Sequence, residues 1–386
     1  MPKIFPMAAA EQNNKPGSAG SAQHPDQTGQ GRQIAPAPVQ KAQIAILAIT
    51  AGALELGAQL AQALPADLYP CKGQIRERFA GLWHNYEALI CIMASGIVVR
   101  QLAPLMHDKY HDPAVLVLDE RGCFVISLLS GHLGGANALA RQVAAITGGQ
   151  AVLTTASDVL GLTALDLWCH SLGVQVADTK RFTQVMGRLV NRGYVRLWVD
   201  TISLADTVQP AQPALPPDIH QAAGPAEADL FISPCLHPAD QPAAAALLHP
   251  KILVVGIGCK RGTSKEQIAE AVSAALSQHG LALQALAQLA SIDLKANENG
   301  LLSYAAEHQL PLTFFSKDEL NQVAGVSFSE PVFRATGARG VAEPAALLAA
   351  GAGARLLVAK MKWPAVTVAV ACMAWPPPPV SAPKDP

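Results

Sequence analysis

The stretch CFVISLLSGHLGGANALARQVAAIT, residues 123–147, passes from an apolar run through a glycine-rich loop into a segment of helical period. Residues 123–128 have the length and composition of an inner strand, and residues 138–147 those of a helix. The loop between them holds three glycines, Gly131, Gly134 and Gly135. A strand, a loop and a helix in this order are the repeating unit of α/β sheets.

The same alternation continues on both sides of this stretch. It predicts an α/β fold with mixed, mainly parallel sheets and flanking helices, in two main domains joined by a middle segment. The predicted divisions are a disordered leader at 1–42, an N-terminal α/β domain at 43–155, a middle segment at 156–250, a C-terminal α/β domain at 251–372 and a proline-rich tail at 373–386.

Three local patterns give predictions that a structure can test directly. Residues 119–122 separate two apolar runs and end in glycine, which predicts a tight hairpin turn. Residues 161–172 have helical period. Thr263 followed by Glu266 has the spacing of a capping box, so a helix should begin near residue 264.

Charge and cysteine usage exclude several classes of function. Lys and Arg number 28 against 29 Asp and Glu, so no basic field exists to hold nucleic acid or an anionic membrane. The longest apolar stretch, residues 88–99, falls short of the roughly 20 residues that a membrane-spanning helix needs. The seven cysteines have no zinc-ligand spacing. We therefore expect a cytoplasmic protein without metal ligands and without nucleic-acid or membrane partners.

A second glycine loop, GIGCKRGT at residues 256–263, ends a predicted strand and opens a helix. Backbone N–H groups at a helix N-terminus favour an anion, and Lys260 and Arg261 add positive charge. The loop lacks both the Walker A pattern and the dinucleotide pattern. The alternative is that the glycines form a tight turn and the two basic side chains are solvated.

The first loop presents a hydroxyl, an imidazole and an amide on a backbone that a ligand can approach closely. His132 is the natural general base there, because the ordinary pKa of histidine lies near neutral pH. The alternative is that Ser130 and Asn137 cap the following helix while His132 lies at the surface. Glu343 begins an alanine-rich helix, where the helix dipole favours a carboxylate for structural reasons alone.

Two sets of motifs, in a fixed order along the chain, resemble the CbiG family of cobalamin biosynthesis. The N-terminal set is MASGIVVR at 93–100 and SGHLGGAN at 130–137, and the C-terminal set includes GIGCKRGT at 256–263, IDLK at 292–295 and FSKDEL at 315–320. The resemblance covers residues from about 44 to 372. The C-terminal domain also resembles the small CobE proteins.

The resemblance implies a hydrolase that acts on a carbon–carbon bond. Water would open the δ-lactone of cobalt-precorrin-5A, and a two-carbon fragment would leave as acetaldehyde to give cobalt-precorrin-5B. No bound cofactor is implied, because cobalt arrives inside the tetrapyrrole substrate. The alternative is a non-catalytic corrinoid or precorrin carrier of the same pathway, and a homodimer is left open.

The residues and the resemblance together give a candidate site. The catalytic candidates are His132, Ser130 and Glu343. The substrate-binding candidates are Ser95, Gly96, Arg100, Gly131, Gly134, Gly135, Asn137, Gly258, Cys259, Lys260, Arg261, Gly262 and Thr263. Because the two glycine loops fall in different predicted domains, we expect an active site between domains, with backbone N–H groups of a glycine loop stabilising an oxyanion.

Overall fold

The computed structural model describes residues 32–34, 42–108, 111–200 and 215–374. These residues divide into two compact units: residues 42–170 form the first, and residues 171–374 with the short strand β1 (Arg32–Ile34) form the second. Strand β1 lies within the segment that we predicted as a leader. The rest of residues 1–41 and the tail beyond residue 374 lie outside the described residues.

The first unit is one six-stranded sheet with helices on both faces. Its strands are β2 (Ala42–Ala48), β3 (Ala66–Pro70), β4 (Tyr86–Ile92), β5 (Ala114–Leu118), β6 (Phe124–Leu129) and β7 (Gln150–Val152). Its helices are α1 (Ala51–Ala63), α2 (Ile75–Leu82), α3 (Ser95–Leu102), α4 (Ala136–Thr147), α5 (Ala156–Leu160) and α6 (Leu165–Ser171). The strand order is β3-β2-β4-β5-β6-β7.

Strand β5, and strands β2 and β4 after their second residues, are continuous apolar runs because both faces of the sheet are covered. Ile44 and Ile46 pack under α1 and α4, whereas Ala45 and Leu47 pack under α2 and α3. All four side chains are at most 1% exposed. Burial on both faces is typical of parallel strands in α/β sheets, and it explains why these strands show no polar alternation.

The sheet reverses direction at β6, and this reversal decides where each loop lies. Strands β2, β3, β4 and β5 are parallel, but β6 runs antiparallel to β5, with Leu129 opposite Val115. The loop that follows β6 therefore lies at the edge where β5 begins. The loop that follows β4 lies at the opposite edge, where Ile92 pairs with Leu118 at the end of β5.

The second unit contains two sheets, and the middle segment forms the first of them. Its elements are β8 (Val174–Val176), α7 (Thr179–Arg192), β9 (Val195–Val199), β10 (Ile219–Gln221), β11 (Leu230–Ile232) and β12 (Ala246–Pro250). The order is β10-β9-β11-β12-β8, and only the pairing of β12 with β8 among these described strands is antiparallel.

The last sheet has the order β1-β15-β14-β13-β17-β16. Its strands after β1 are β13 (Leu253–Cys259), β14 (Leu286–Ile292), β15 (Leu312–Phe315), β16 (Arg355–Lys362) and β17 (Val366–Cys372). Its helices are α8 (Lys265–Gln278), α9 (Asn299–Glu307), α10 (Lys317–Gln322), α11 (Glu330–Thr336) and α12 (Ala342–Ala350). Strands β13, β14 and β15 are parallel, and β17 runs antiparallel to β13 with Val366 opposite Cys259. The carboxyl ends of β13 and β14 therefore meet the β16–β17 turn at one edge.

The predicted α/β class with mixed, mainly parallel sheets is confirmed, and so is the hairpin, which is β5 and β6. The helix predicted for residues 161–172 exists as α6, but it begins four residues later than predicted. Gly161 has a φ of +66° and ends α5, and α6 begins only at Leu165. Both helices belong to the first unit, although we assigned their residues to the middle segment.

The predicted capping box is displaced by one residue. Ser264, not Thr263, is the N-cap of α8, and its partner is Gln267. The hydroxyl of Thr263 instead donates to the carbonyl of Lys260 at 2.8 Å, which closes the preceding turn. Across the described part of the chain, each helix is either too short or too polar to cross a bilayer.

Candidate functional site

The first glycine loop is a self-contained turn between β6 and α4. Ser130 has a φ of +58°, and its hydroxyl donates to the carbonyl of Asp112 at 3.0 Å. A Cβ atom at Gly134 would lie 2.3 Å from the Cβ of Ser130, so this position requires glycine. The N-cap of α4 is Gly135, without a side-chain capping bond. The alternative that Ser130 and Asn137 cap this helix is therefore wrong.

The backbone of this loop also satisfies its own N–H groups. The N–H groups of Gly135, Ala136 and Asn137 donate to carbonyls at His132, Ser130 and Gly131, at 2.9, 3.2 and 2.9 Å. Three backbone N–H groups at the N-terminus of α4 therefore already have acceptors. An oxyanion site built from these backbone N–H groups would require the loop to open.

His132 lies between two carboxylates and is largely buried. Its Nε2 is 3.0 Å from Asp158 Oδ2, and its Nδ1 is 3.1 Å from Asp166 Oδ1. The hydrogen bond with Asp166 is the largest influence, and together with Asp158 it outweighs burial and raises the pKa of His132. Because both ring nitrogens face carboxylates, the protonated imidazolium is favoured, whereas a general base must be neutral.

Asp158 collects further donors from α4. Burial would raise its pKa, but hydrogen bonds from Arg141 and His132 outweigh burial, and the net pKa is lowered. The side-chain amide of Asn137 also donates to Asp158, at 2.9 Å, and to the hydroxyl of Thr155, at 3.1 Å. Two positive and two negative side chains, with Asp166 as the second acid, thus neutralise one another around the loop.

The remaining candidates of the first unit lie elsewhere. Ser95 and Gly96 begin α3 at the opposite edge of the sheet from His132. Ser95 lines a separate, mostly apolar cavity of about 690 Å³. The Arg100 guanidinium donates to the carbonyl of Gly96 at 2.9 Å. The structure therefore does not bring these three residues together with residues 130–137.

In the second glycine loop, an internal carboxylate takes the place that we predicted for a ligand anion. Glu298 accepts from the N–H of Gly262 at 2.9 Å and from the Lys295 ammonium at 3.0 Å. The Gly262 N–H is the largest cause of the lowered pKa of Glu298, followed by Lys295. The N–H of Ser264 donates to Gln267. Several backbone N–H groups of this loop thus donate to side chains of the protein itself, so that they are engaged before any ligand binds.

The side chains of this loop, in contrast, face a cavity of about 750 Å³ at the carboxyl edge of β13 and β14. Ligands of open α/β sheets commonly bind at such edges. The lining contains five basic residues and no acidic one: Lys260, Arg261, Lys295, Lys360 and Lys362. Of these, only Lys295 forms an ion pair with a described carboxylate. The other four have no described carboxylate within ion-pair distance, although the charge of Arg261 also helps to lower the pKa of Glu298 and that of Lys360 the pKa of Glu343.

The cavity has an apolar floor and a charged rim. Ile292, Val341 and Val366 line it and are at most 7% exposed, whereas Lys260 and Lys362 are solvent-exposed. Of the predicted contacts, Gly258, Cys259, Lys260 and Arg261 line the cavity, and Gly262 and Thr263 shape the loop behind them. Burial raises the pKa of the Cys259 thiol, which disfavours a thiolate.

Glu343 lies behind this wall rather than in it. It is 3% exposed and accepts from the N–H of Ser327 at 2.7 Å and the N–H of Lys360 at 2.9 Å. Burial would raise its pKa, but these hydrogen bonds outweigh burial, and the net pKa is lowered. The geometry favours a structural role for Glu343, in which its carboxylate anchors β16 beside the cavity.

Three residues that line the cavity were not predicted from the sequence: Lys360 and Lys362, at the end of β16, and Trp363, in the turn that follows. The signal was present in the pattern KMKW: lysines two residues apart on a strand project from the same face. Nothing in the sequence, however, placed this face beside residues 258–261, which are about 100 positions earlier.

Among the described residues, no three His, Cys, Asp or Glu side chains come together in a group that could hold a metal ion. All seven cysteines are free thiols.

The fold and the site define an α/β protein of three sheets whose last sheet carries a cavity lined by five basic residues. The family models for the cobalamin synthesis G N-terminus, the cobalamin biosynthesis central region and the cobalamin synthesis G C-terminus match residues 77–158, 163–250 and 253–371. The chain belongs to the CbiG family.

Named relatives agree with this assignment. The cobalt-precorrin-5A hydrolase of Priestia megaterium is 35% identical over 317 residues, covering 78% of this chain and 82% of the relative. The Salmonella typhimurium protein of the same name is 35% identical over 298 residues, covering 74% and 85%. The solved structure of a putative cobalamin biosynthesis protein G homologue from Sulfolobus solfataricus is 21% identical, with a TM-score of 0.34, covering 86% and 97%.

Proposed function

We propose that this chain is a hydrolase that opens the δ-lactone of cobalt-precorrin-5A and releases acetaldehyde, giving cobalt-precorrin-5B. The two relatives at 35% identity, each matched over more than 80% of its length, carry that enzyme name. The structural observation that supports the proposal is the cationic cavity of the last sheet. A precorrin carries several acetate and propionate groups, so its binding site needs cations that are free of internal partners.

The cavity offers those cations on several elements. Lys260 and Arg261 come from the loop after β13, and Lys360 and Lys362 come from β16. Arg261 can bind a carboxylate through two parallel hydrogen bonds, whereas each lysine acts as a point charge. Such a distribution suits carboxylates arranged around the rim of a macrocycle, and it would fix the orientation of the lactone.

In the proposed reaction, water attacks the acyl carbon of the lactone and the acyl C–O bond breaks. The liberated oxygen then forms the carbonyl of acetaldehyde as the neighbouring C–C bond breaks, and the ring carbon takes a proton. Because several backbone N–H groups in each glycine loop already have acceptors, we propose that cavity cations stabilise the oxyanion. One good donor in an acyl-transfer site is worth about 2.7–4 kcal/mol.

His132 and Ser130 remain catalytic proposals. The raised pKa of His132 suits a proton donor better than the general base that we predicted. If His132 takes part in proton transfer, His132→Ala should lower kcat far more than the affinity for substrate. Unchanged kcat would remove His132 from the mechanism.

We propose no resident cofactor, because the cobalt ion is part of the substrate, and we propose a cytoplasmic location. The deciding experiment incubates the purified protein with cobalt-precorrin-5A and measures acetaldehyde. Release of acetaldehyde at catalytic turnover is expected. Binding of the substrate without release would refute the hydrolase and support the carrier alternative. The Lys265→Gln variant is a suitable control, because Lys265 is a surface residue of α8 paired with Glu307.

A further inference from the structure

One aromatic side chain lines the cationic cavity among the described residues, that of Trp363. Trp363 lies in the turn between β16 and β17, and its backbone N–H donates to the carbonyl of Val366 at 2.7 Å. This bond closes the turn and fixes the backbone from which the indole projects. The side chain is only partly buried, so part of its surface faces solvent or the cavity.

The indole has no ring or cationic partner within the described part of the second unit. The ring pairs found there are Tyr194–His220, Tyr304–His308 and Phe328–Phe333, and the cation–π contact is Arg196 with Tyr194. Trp363 therefore contributes an unstacked aromatic surface to a cavity with an apolar floor.

The cavity thus presents two kinds of contact. Its cations can bind carboxylates whatever the shape of the molecule that carries them. A flat conjugated ring system also presents a face, which matches the indole and the aliphatic floor formed by Ile292 and Val341. Charge alone cannot distinguish a tetrapyrrole from another polycarboxylate of similar charge.

We propose that Trp363 is the specificity-determining residue of this cavity, and that its indole stacks on the face of the tetrapyrrole. The identity of the ligand rests on the proposed function. The site would then select polycarboxylates with a conjugated ring face over polycarboxylates without one.

The test compares two acidic probes. Uroporphyrin is a flat tetrapyrrole with eight carboxylates, and cyclohexanehexacarboxylate is a polyanion without an aromatic face. Trp363→Leu keeps an apolar side chain at this position but removes the aromatic face. It should weaken uroporphyrin binding roughly tenfold and leave cyclohexanehexacarboxylate binding unchanged. Trp363→Phe should recover most of the affinity, and Lys260→Gln should weaken both probes.

A spectroscopic readout separates direct stacking from a structural effect. Uroporphyrin should quench tryptophan fluorescence in the wild-type protein, and most of this quenching should disappear in Trp363→Phe. The matched control is Trp198→Phe, because Trp198 is partly buried against the core of the middle sheet and its replacement should leave the quenching in place.

The inference is overturned if Trp363→Leu weakens both probes equally, if it weakens neither, or if quenching is unchanged in a folded Trp363→Phe protein. Failure of the wild-type protein to bind uroporphyrin overturns it too. Failure of the proposed function has a different signature, in which uroporphyrin binding depends on Trp363 as described but cobalt-precorrin-5A gives no acetaldehyde.

Discussion

The two glycine loops share one local design but differ in the fate of their charges. Each connects a strand to a helix, and in each loop several backbone N–H groups donate to acceptors within the protein. At residues 130–137 the charged groups are also paired, since His132 lies between Asp158 and Asp166. At residues 256–263 the cations Lys260 and Arg261 line an open cavity. A glycine loop is therefore not a ligand site by itself. The side chains around the loop determine whether its charged groups are paired internally or are available to a ligand.

The position of the carboxylates explains the difference. Asp158 and Asp166 each contact one ring nitrogen of His132. Glu298 and Glu343 are buried behind the cavity wall, where backbone N–H groups hold them. The carboxylates of the second unit thus stabilise the wall, and of the cations that line the cavity only Lys295 forms an ion pair with one of them.

The largest effect is expected from removing one of these buried carboxylates. Glu343→Ala leaves the N–H groups of Ser327 and Lys360 without an acceptor, and should lower the free energy of unfolding by about 3 kcal/mol. Urea denaturation measures it. Glu343→Gln, which keeps one acceptor oxygen, should lose less. A fully stable Glu343→Ala protein without activity would instead support the catalytic role predicted from the sequence.

The next effect is on ligand affinity. Replacing Lys260 and Arg261 together by glutamine should weaken uroporphyrin binding about 30-fold at low salt, because each exposed charge contributes on the order of 1 kcal/mol. Titrations at several salt concentrations measure it, and the variant should also show a shallower salt dependence. Lys265→Gln is the control. Equal affinities of wild type and variant would contradict the cavity as the anion site.

A smaller effect is expected in the first unit, on stability. His132→Asn leaves Asp158 and Asp166 without the positive charge between them, and should lower the free energy of unfolding by about 1–2 kcal/mol. His84→Asn, at an exposed histidine of the same unit, should have no effect. A neutral outcome for His132→Asn would mean that the charge network does not stabilise this loop.

The smallest effect is a dependence of stability on pH with opposite signs in the two units. Because the folded pKa of His132 is raised, its contribution is fully present below the ordinary pKa near 6.5 and is lost as pH rises through the folded value. Burial lowers the pKa of His249, so its contribution is present above about 6.5 and is lost as pH falls. Unfolding measured across pH should lose these slopes in His132→Asn and His249→Gln.

Much of the fold was predictable because its signals are local. The strand predicted at residues 123–128 and the helix predicted at residues 138–147 follow from local apolar patterns, and the bounds of β6 and α4 agree with them to within two residues. Strand β3 and helix α2 escaped prediction because their apolar positions are mixed with charged ones. Helix α5 ends at Gly161 through a left-handed backbone conformation that the apolar period does not reveal.

The candidate site was predictable only in part, because local sequence signals do not show which distant side chains pair with one another. Sequence motifs identified Lys260 and Arg261 as cations on a glycine loop, and they identified His132 as a candidate general base. They could not show that Asp158 and Asp166 occupy both ring nitrogens of the imidazole.

By itself, the sequence determined the α/β class, the two glycine loops, the family and the residues able to carry charge, because these depend on composition, period and short motifs. Only the tertiary structure decided which charges remain free. Pairing depends on which distant side chains the sheet order brings within about 4 Å, and the attraction between two charges falls with their separation. The reversal at β6 and the antiparallel β17 set those distances.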